Sequence, residues 1–95
     1  MVNKPKFQKF KKETAIKIFK IGEADLHAAK ILASALTCRP EIIVYHVQQS
    51  VEKSLKSVII FFEKAVPLTH EIDVLIEQLP YQMTQDFPSG VNELT

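Results

Sequence analysis

Two long stretches of this chain repeat apolar residues every three or four positions, and only Thr37-Cys38-Arg39-Pro40 separates them. That arrangement constrains the fold more than anything else in the sequence. In the first stretch Phe10, Ile18, Ile21, Ala28, Leu32 and Leu36 fall on one stripe at about 100° per residue, the angular step of an α-helix. Phe19, Leu26, Ala29 and Ala33 widen it. The spacing predicts one amphipathic helix from Phe10 to Leu36, with Gly22 a tolerated weak point. Pro40 disfavours a helical conformation in the residue before it. It suits the first position of the next helix, where its missing N–H has no partner to lose. The second helix is predicted from Glu41 to Lys64, with Val44, Val47, Val51, Leu55, Val58 and Phe62 as its core stripe. So short a connection implies an antiparallel helical hairpin.

Pro67 ends the second helical region. Thr69 is placed to cap a third, shorter helix, His70 to Leu79, with Ile72, Leu75, Ile76 and Leu79 turned inward. Pro80 stops it. Tyr81 to Pro88 reads as a turn or a single helical turn, and Ser89 to Thr95 as the start of an incomplete fourth helix. No strand pattern is evident. The expected fold is all-α, an antiparallel up-and-down helical bundle formed by residues 1–95 as one domain. With its fourth helix missing, such a bundle leaves one apolar groove open.

Composition narrows the function classes. The chain has 12 basic and 11 acidic residues, but residues 1–20 hold seven Lys against one Glu. Residues 1–9 are therefore expected to be a disordered basic arm. Within the Lys4-to-Lys12 run, Phe7 and Phe10 are interleaved with Lys. Such a run can contact RNA phosphates and stack bases, or it can be a solvated helix start whose Phe side chains join the core. Cys38 is the only cysteine, which excludes an internal disulfide and fits a reducing cytoplasm. No stretch is long and apolar enough for a membrane span. No two of the three His stand at i,i+4, so no metal site is expected.

The polar residues of the second helix are unusual for a core element. His46, Gln49, Lys53 and Lys56 form one stripe beside the predicted core face, and Glu52 can pair with Lys56 at i,i+4. Gln48 falls inside the apolar arc and is expected to be largely buried. Asp25 sits on the apolar stripe of the first helix, about level with Glu52 and Lys53 in an antiparallel hairpin. A buried carboxylate needs a partner. Asp25 is therefore expected to pair with Lys53 or to bond Gln48 or His46, forming a polar seam with Gln48. The stripe of His46, Gln49, Lys53 and Lys56, with His70, is the candidate binding site for a phosphate or nucleotide. The competing reading is a structural seam between helices or across a dimer.

Three segments carry a family likeness: Ala24-Asp25-Leu26-His27-Ala28-Ala29, Tyr45-His46-Val47-Gln48-Gln49-Ser50-Val51-Glu52-Lys53-Ser54-Leu55-Lys56, and Pro67-Leu68-Thr69-His70-Glu71-Ile72. In order and spacing they resemble the HEPN family (higher eukaryotes and prokaryotes nucleotide-binding domain). The resemblance covers roughly residues 20–80, and the second segment is the most specific. It implies a helical bundle, usually a homodimer, linked to nucleotide or RNA chemistry. Some relatives accompany minimal nucleotidyltransferases in toxin–antitoxin pairs. Others are metal-independent ribonucleases using an Arg and a His late in the fold. This chain departs from the pattern: the usual final helix is absent, and Ser50 stands where Ala is common. Arg39 and His46 have the nuclease's Arg-to-His spacing but lie too early in the chain, making them weak catalytic candidates.

The expected function is a cytoplasmic, non-enzymatic HEPN-type binding and dimerisation module, linked to nucleotides and paired with a nucleotidyltransferase. It needs no cofactor beyond a nucleotide ligand. The alternatives are a HEPN ribonuclease toxin acting on RNA and, more remotely, a histidine phosphotransfer domain using His46. The phosphotransfer pattern expects Lys-Gly where Gln49 and Ser50 stand.

Overall fold

The computed structural model describes residues 5–80 and 83. Two long helices, α1 (Glu13–Ala33) and α2 (Pro40–Phe61), form an antiparallel hairpin, and a short α3 (Ile72–Glu77) packs on α2. The fold is all-α apart from one two-stranded ribbon, β1 (Phe7–Gln8) against β2 (Val66–Pro67). No strand was expected there, because two-residue strands are too short to show alternation. The segment that the sequence assigns to a disordered arm is thus held from Lys6 onward. Phe7 pairs with Pro67 and Gln8 with Val66, and the Leu68 N–H donates to the Lys6 carbonyl at 2.7 Å. The predicted fourth-helix start lies outside the described residues. So does the predicted 81–88 turn, except for Met83.

The seam between α1 and α2 is not the one that apolar periodicity picks out. On α1 the buried residues are Ala15, Gly22 and Ala29, seven apart. On α2 the facing line is His46, Ser50, Lys53 and Ser57, spaced four and three. This is coiled-coil spacing written in small and polar residues. A Cβ placed on Gly22 would lie 3.3 Å from the Ser50 carbonyl oxygen and 3.3 Å from the Lys53 Cβ. The two backbones come that close because Gly22 has no side chain and Ser50 has only a small one at the crossing.

Small residues on the seam displace the predicted core stripe. Val44 and Phe62 are exposed, and Val47, Val51 and Val58 are half-buried. Ile21 and Leu36 on the predicted α1 stripe are exposed as well. The true core lies at the C-terminal half of α2, where Leu55, Ile59 and Ile60 meet Ala15, Val66, Ile72, Leu75 and Leu79. Burying each large aliphatic side chain contributes about 1.5–3 kcal/mol. β2 belongs to this core, since Val66 and Pro67, paired with β1, are fully buried.

Helix ends account for the remaining differences. α2 stops at Phe61, before the predicted Lys64, although no Gly marks the stop. Glu63 takes a left-handed conformation, φ 60°. Its N–H bonds the Ile60 carbonyl, and the Lys64 N–H bonds the Ile59 carbonyl. That pair of bonds is a Schellman cap built on a non-glycine residue. At α3, the Thr69 hydroxyl accepts from the Glu71 N–H at 3.1 Å, forming a turn two residues ahead of the helix. It is not the N-cap itself, so α3 begins at Ile72 and not at His70.

Two substitutions test this packing by urea denaturation. Gly22→Val is expected to destabilise the fold by roughly 1–3 kcal/mol, because the Ser50 backbone must shift to admit it. Glu63→Gly is expected to stabilise by roughly 0.5–1 kcal/mol, because it relieves the left-handed strain at the cap.

Candidate functional site

Asp25 lies one turn beyond Gly22 on the α1 seam, so the close crossing carries its carboxylate onto α2. Its Oδ2 accepts from Lys53 Nζ at 2.6 Å, and its Oδ1 accepts from His46 Nδ1 at 3.3 Å. The three side chains are largely covered: Asp25 is 16% exposed, Lys53 26% and His46 28%. The Lys53 hydrogen bond, helped by His46, holds the Asp25 carboxyl below its ordinary range, while burial opposes the shift. A carboxylate bonded this way requires the proton on Nδ1 of His46. Tyr45 stands edge-on to the same imidazole, with ring centroids 5.5 Å apart.

A second cluster forms a turn further along α2. Glu52 is buried, with a side chain only 7% exposed. Its Oε2 accepts from Lys56 Nζ at 2.8 Å. Both its oxygens lie within 3.0–3.1 Å of His70 Nδ1, brought over by the turn before α3. The rest of the His70 side chain faces solvent. The helical wheel places Glu52 beside the polar stripe. It does not show that Glu52 is the buried anchor of a second cluster. The only sequence signal for that role is its i,i+4 spacing to Lys56.

The stripe of His46, Gln49, Lys53, Lys56 and His70 is therefore two carboxylate-centred clusters on different sides of α2. His46 and Lys53 turn to α1, whereas Lys56 and His70 meet over Glu52. Gln48 is half-buried, less than expected, and has partners within the fold. With Gln49, Tyr45, Glu52 and His70 it borders a cavity of about 220 Å³. Arg39 stands apart from these groups. It precedes Pro40 at the start of α2, and its guanidinium meets Glu41 at 3.4 Å with both side chains exposed. Arg39 and His46 thus engage different carboxylates.

A much larger apolar surface lies on the other side of the hairpin. Two cavities of about 480 and 390 Å³ share Val58 and Met83. Phe19, Phe61 and Phe62 line the first, and Leu26, Val47 and Val51 line the second. These are the apolar residues that the small-residue seam leaves outside the helix crossing. Among the described residues no three His, Cys, Asp or Glu side chains converge as a metal set, and no helix is long and apolar enough to cross a membrane.

The order of Asp25, the Gln48-to-Lys56 segment and Thr69-His70, now joined through two ion-pair clusters, agrees with a family match. A family model for the HEPN domain covers residues 15–94. The chain belongs to the HEPN family. It is thus a module of a helical family linked to nucleotide and RNA chemistry. No curated protein and no solved structure matches this HEPN chain.

Asp25→Ala strands Lys53 and His46 at the seam and is expected to cost roughly 1.5–3 kcal/mol in denaturant melts. A loss below about 0.5 kcal/mol would mean that the cluster does not stabilise the hairpin. Because folding lowers the Asp25 pKa, its contribution is fully present above the ordinary aspartate value of about 4. It is lost as pH falls through the depressed folded value. The stability gap between wild type and Asp25→Asn should accordingly close on acidification.

Proposed function

We propose that this HEPN domain is a non-catalytic dimerisation and partner-binding module, linked to nucleotides through a partner such as a minimal nucleotidyltransferase. One observation carries the reading. Among the described residues the motif's cationic side chains are paired with carboxylates, while a broad apolar groove along α1 and α2 is left uncovered. A phosphate at Lys53 or Lys56 would have to share an ammonium whose charge already serves Asp25 at 2.6 Å or Glu52 at 2.8 Å, and would meet that carboxylate's like charge. Among the described residues no side chain competes for the groove in this way.

A second copy of the chain is the occupant that best fits the groove. Its rim carries Lys20 and Glu23, one turn apart on α1 beside Phe19. A two-fold axis through the groove sets each copy's Lys20 against the other's Glu23, the self-complementary pattern of an isologous dimer. Exposed apolar area of this kind marks an interaction surface. The ribonuclease reading has less support, because Arg39 and His46 are engaged separately, with Glu41 and Asp25. The phosphotransfer reading needs an accessible imidazole, and His46 is mostly covered.

Sedimentation equilibrium tests the proposal. The wild-type chain is expected to be a dimer at micromolar concentration, and Phe19→Asp, at a position already 47% exposed, a folded monomer. A monomeric wild type would overturn the dimer. Calorimetric titration of ATP and AMP is expected to give no saturable binding to the isolated chain. Saturable binding lost in Lys56→Ala would return the polar stripe to the role of a nucleotide site. Cleavage of RNA by the purified chain, abolished in His46→Ala, would favour the ribonuclease.

A further inference from the structure

The basic N-terminal segment lies ahead of the residues that match the family, which begin at 15. None of its described side chains takes part in the two carboxylate clusters or lines the groove. Its geometry is nevertheless specific. β1 forms the outer strand of the ribbon, paired with the fully buried Val66 and Pro67. Lys6, Phe7, Gln8 and Lys9 are all exposed on it, and Lys11 and Lys12 follow, also exposed. Phe10 turns inward and packs against the core. Phe7 does not: 51% of it faces solvent, although Phe10, three residues on, finds the core. Lys12 is partly engaged, its ammonium 4.6 Å over the Phe61 ring. Among the described residues Glu13, at the start of α1, directly follows the run and is exposed.

We infer that this ribbon is a binding surface for single-stranded nucleic acid, with Lys6, Lys9 and Lys11 on the phosphates and Phe7 stacking a base. Two features favour that ligand over a generic polyanion. An aromatic ring held outside the core between cations matches the alternation of base and phosphate in a flexible strand. Pairing to β2 also fixes the segment before the ligand arrives, so binding does not have to order a free arm. A duplex hides its base faces and offers Phe7 nothing to stack on. An anionic membrane offers charge, but its binding does not depend on a single planar ring.

Fluorescence anisotropy of the full chain with labelled oligouridylate and oligothymidylate of about twelve nucleotides tests this, the length lying within common single-strand site sizes. Binding of either is expected, and the comparison tells whether RNA or DNA is preferred. Its log affinity should fall with log salt with a slope of about −2, the release expected for three phosphates on a single strand. Lys6→Gln, Lys9→Gln and Lys11→Gln together should flatten that slope, while Lys30→Gln, at the far end of α1, should leave it unchanged. Phe7→Ala should weaken binding roughly five- to 100-fold at unchanged slope. Phe7→Trp, which keeps a ring on the ribbon, should retain binding. That pair separates loss of stacking from loss of the ribbon, and circular dichroism checks that each variant is folded. No binding at low salt would overturn the proposal, as would equal affinity for a duplex of the same length. Equal binding of anionic phospholipid vesicles by wild type and Phe7→Ala, with no preference for oligonucleotides, would also overturn it. The same titration with Phe19→Asp, a groove position outside the ribbon, separates these outcomes from the dimer.

Discussion

The close crossing of α1 and α2 at Gly22 is the constraint on which the remaining structure depends. Without a side chain there, the Ser50 carbonyl and the Lys53 stem come within van der Waals reach of α1. Asp25 is thereby brought to within hydrogen-bonding distance of Lys53 and His46. A wider crossing would leave this carboxylate partly desolvated and short of its cations, the costly situation for any charged group at a helix interface. The same crossing turns the large apolar residues of α2 away from α1. Part of that surface is covered by α3 and the ribbon, and part is left by the described residues as the groove.

This chain therefore uses the polar residues of its family motif as framework. Asp25 joins the two long helices through Lys53 and His46. Glu52 joins α2 to the turn before α3 through Lys56 and His70. Each carboxylate is buried enough to require its partners, and each partner comes from a defined place in the chain. Such pairs contribute less to net stability than to register, since a slip of either helix would separate charges that cannot be solvated where they stand. The apolar groove is the complementary case, a surface without directional bonds that suits a partner supplying shape and apolar area.

The sequence made the helical hairpin legible because Pro40 and the apolar periodicity act locally. The inward residues of α3 were legible for the same reason, and so was the need for a cation beside Asp25. The helix seam itself was not. Periodicity weights large apolar side chains, and here Ala15, Gly22, Ala29, Ser50 and Ser57 form the contact instead. Val44, Phe62 and Ile21 consequently read as core and are exposed. The early end of α2 was hidden because Glu63 occupies a conformation usually given to Gly. The ribbon and the burial of Glu52 depend on residues distant in sequence, and no window along the chain brings those together. His46, Lys53, Lys56 and His70 stand out in the sequence as a polar stripe, but whether they share one face depends on which neighbour each side chain reaches.

The ribbon has a consequence for how the molecule assembles. The helical hairpin closes over a short loop and can form from local contacts, whereas β1 and β2 come from opposite ends of the described fold. Pairings between distant segments carry the larger loop-closure cost and tend to form late. β1 pairs with the edge of β2, whose side chains also pack on α2 and α3, so the clasp is expected to be the last step of folding and the first to open. Transient opening would free the β2 edge while the Asp25 cluster stays closed. Amide exchange at Leu68, whose N–H is held by the Lys6 carbonyl, would follow the clasp, whereas exchange in the middle of α2 would follow global unfolding.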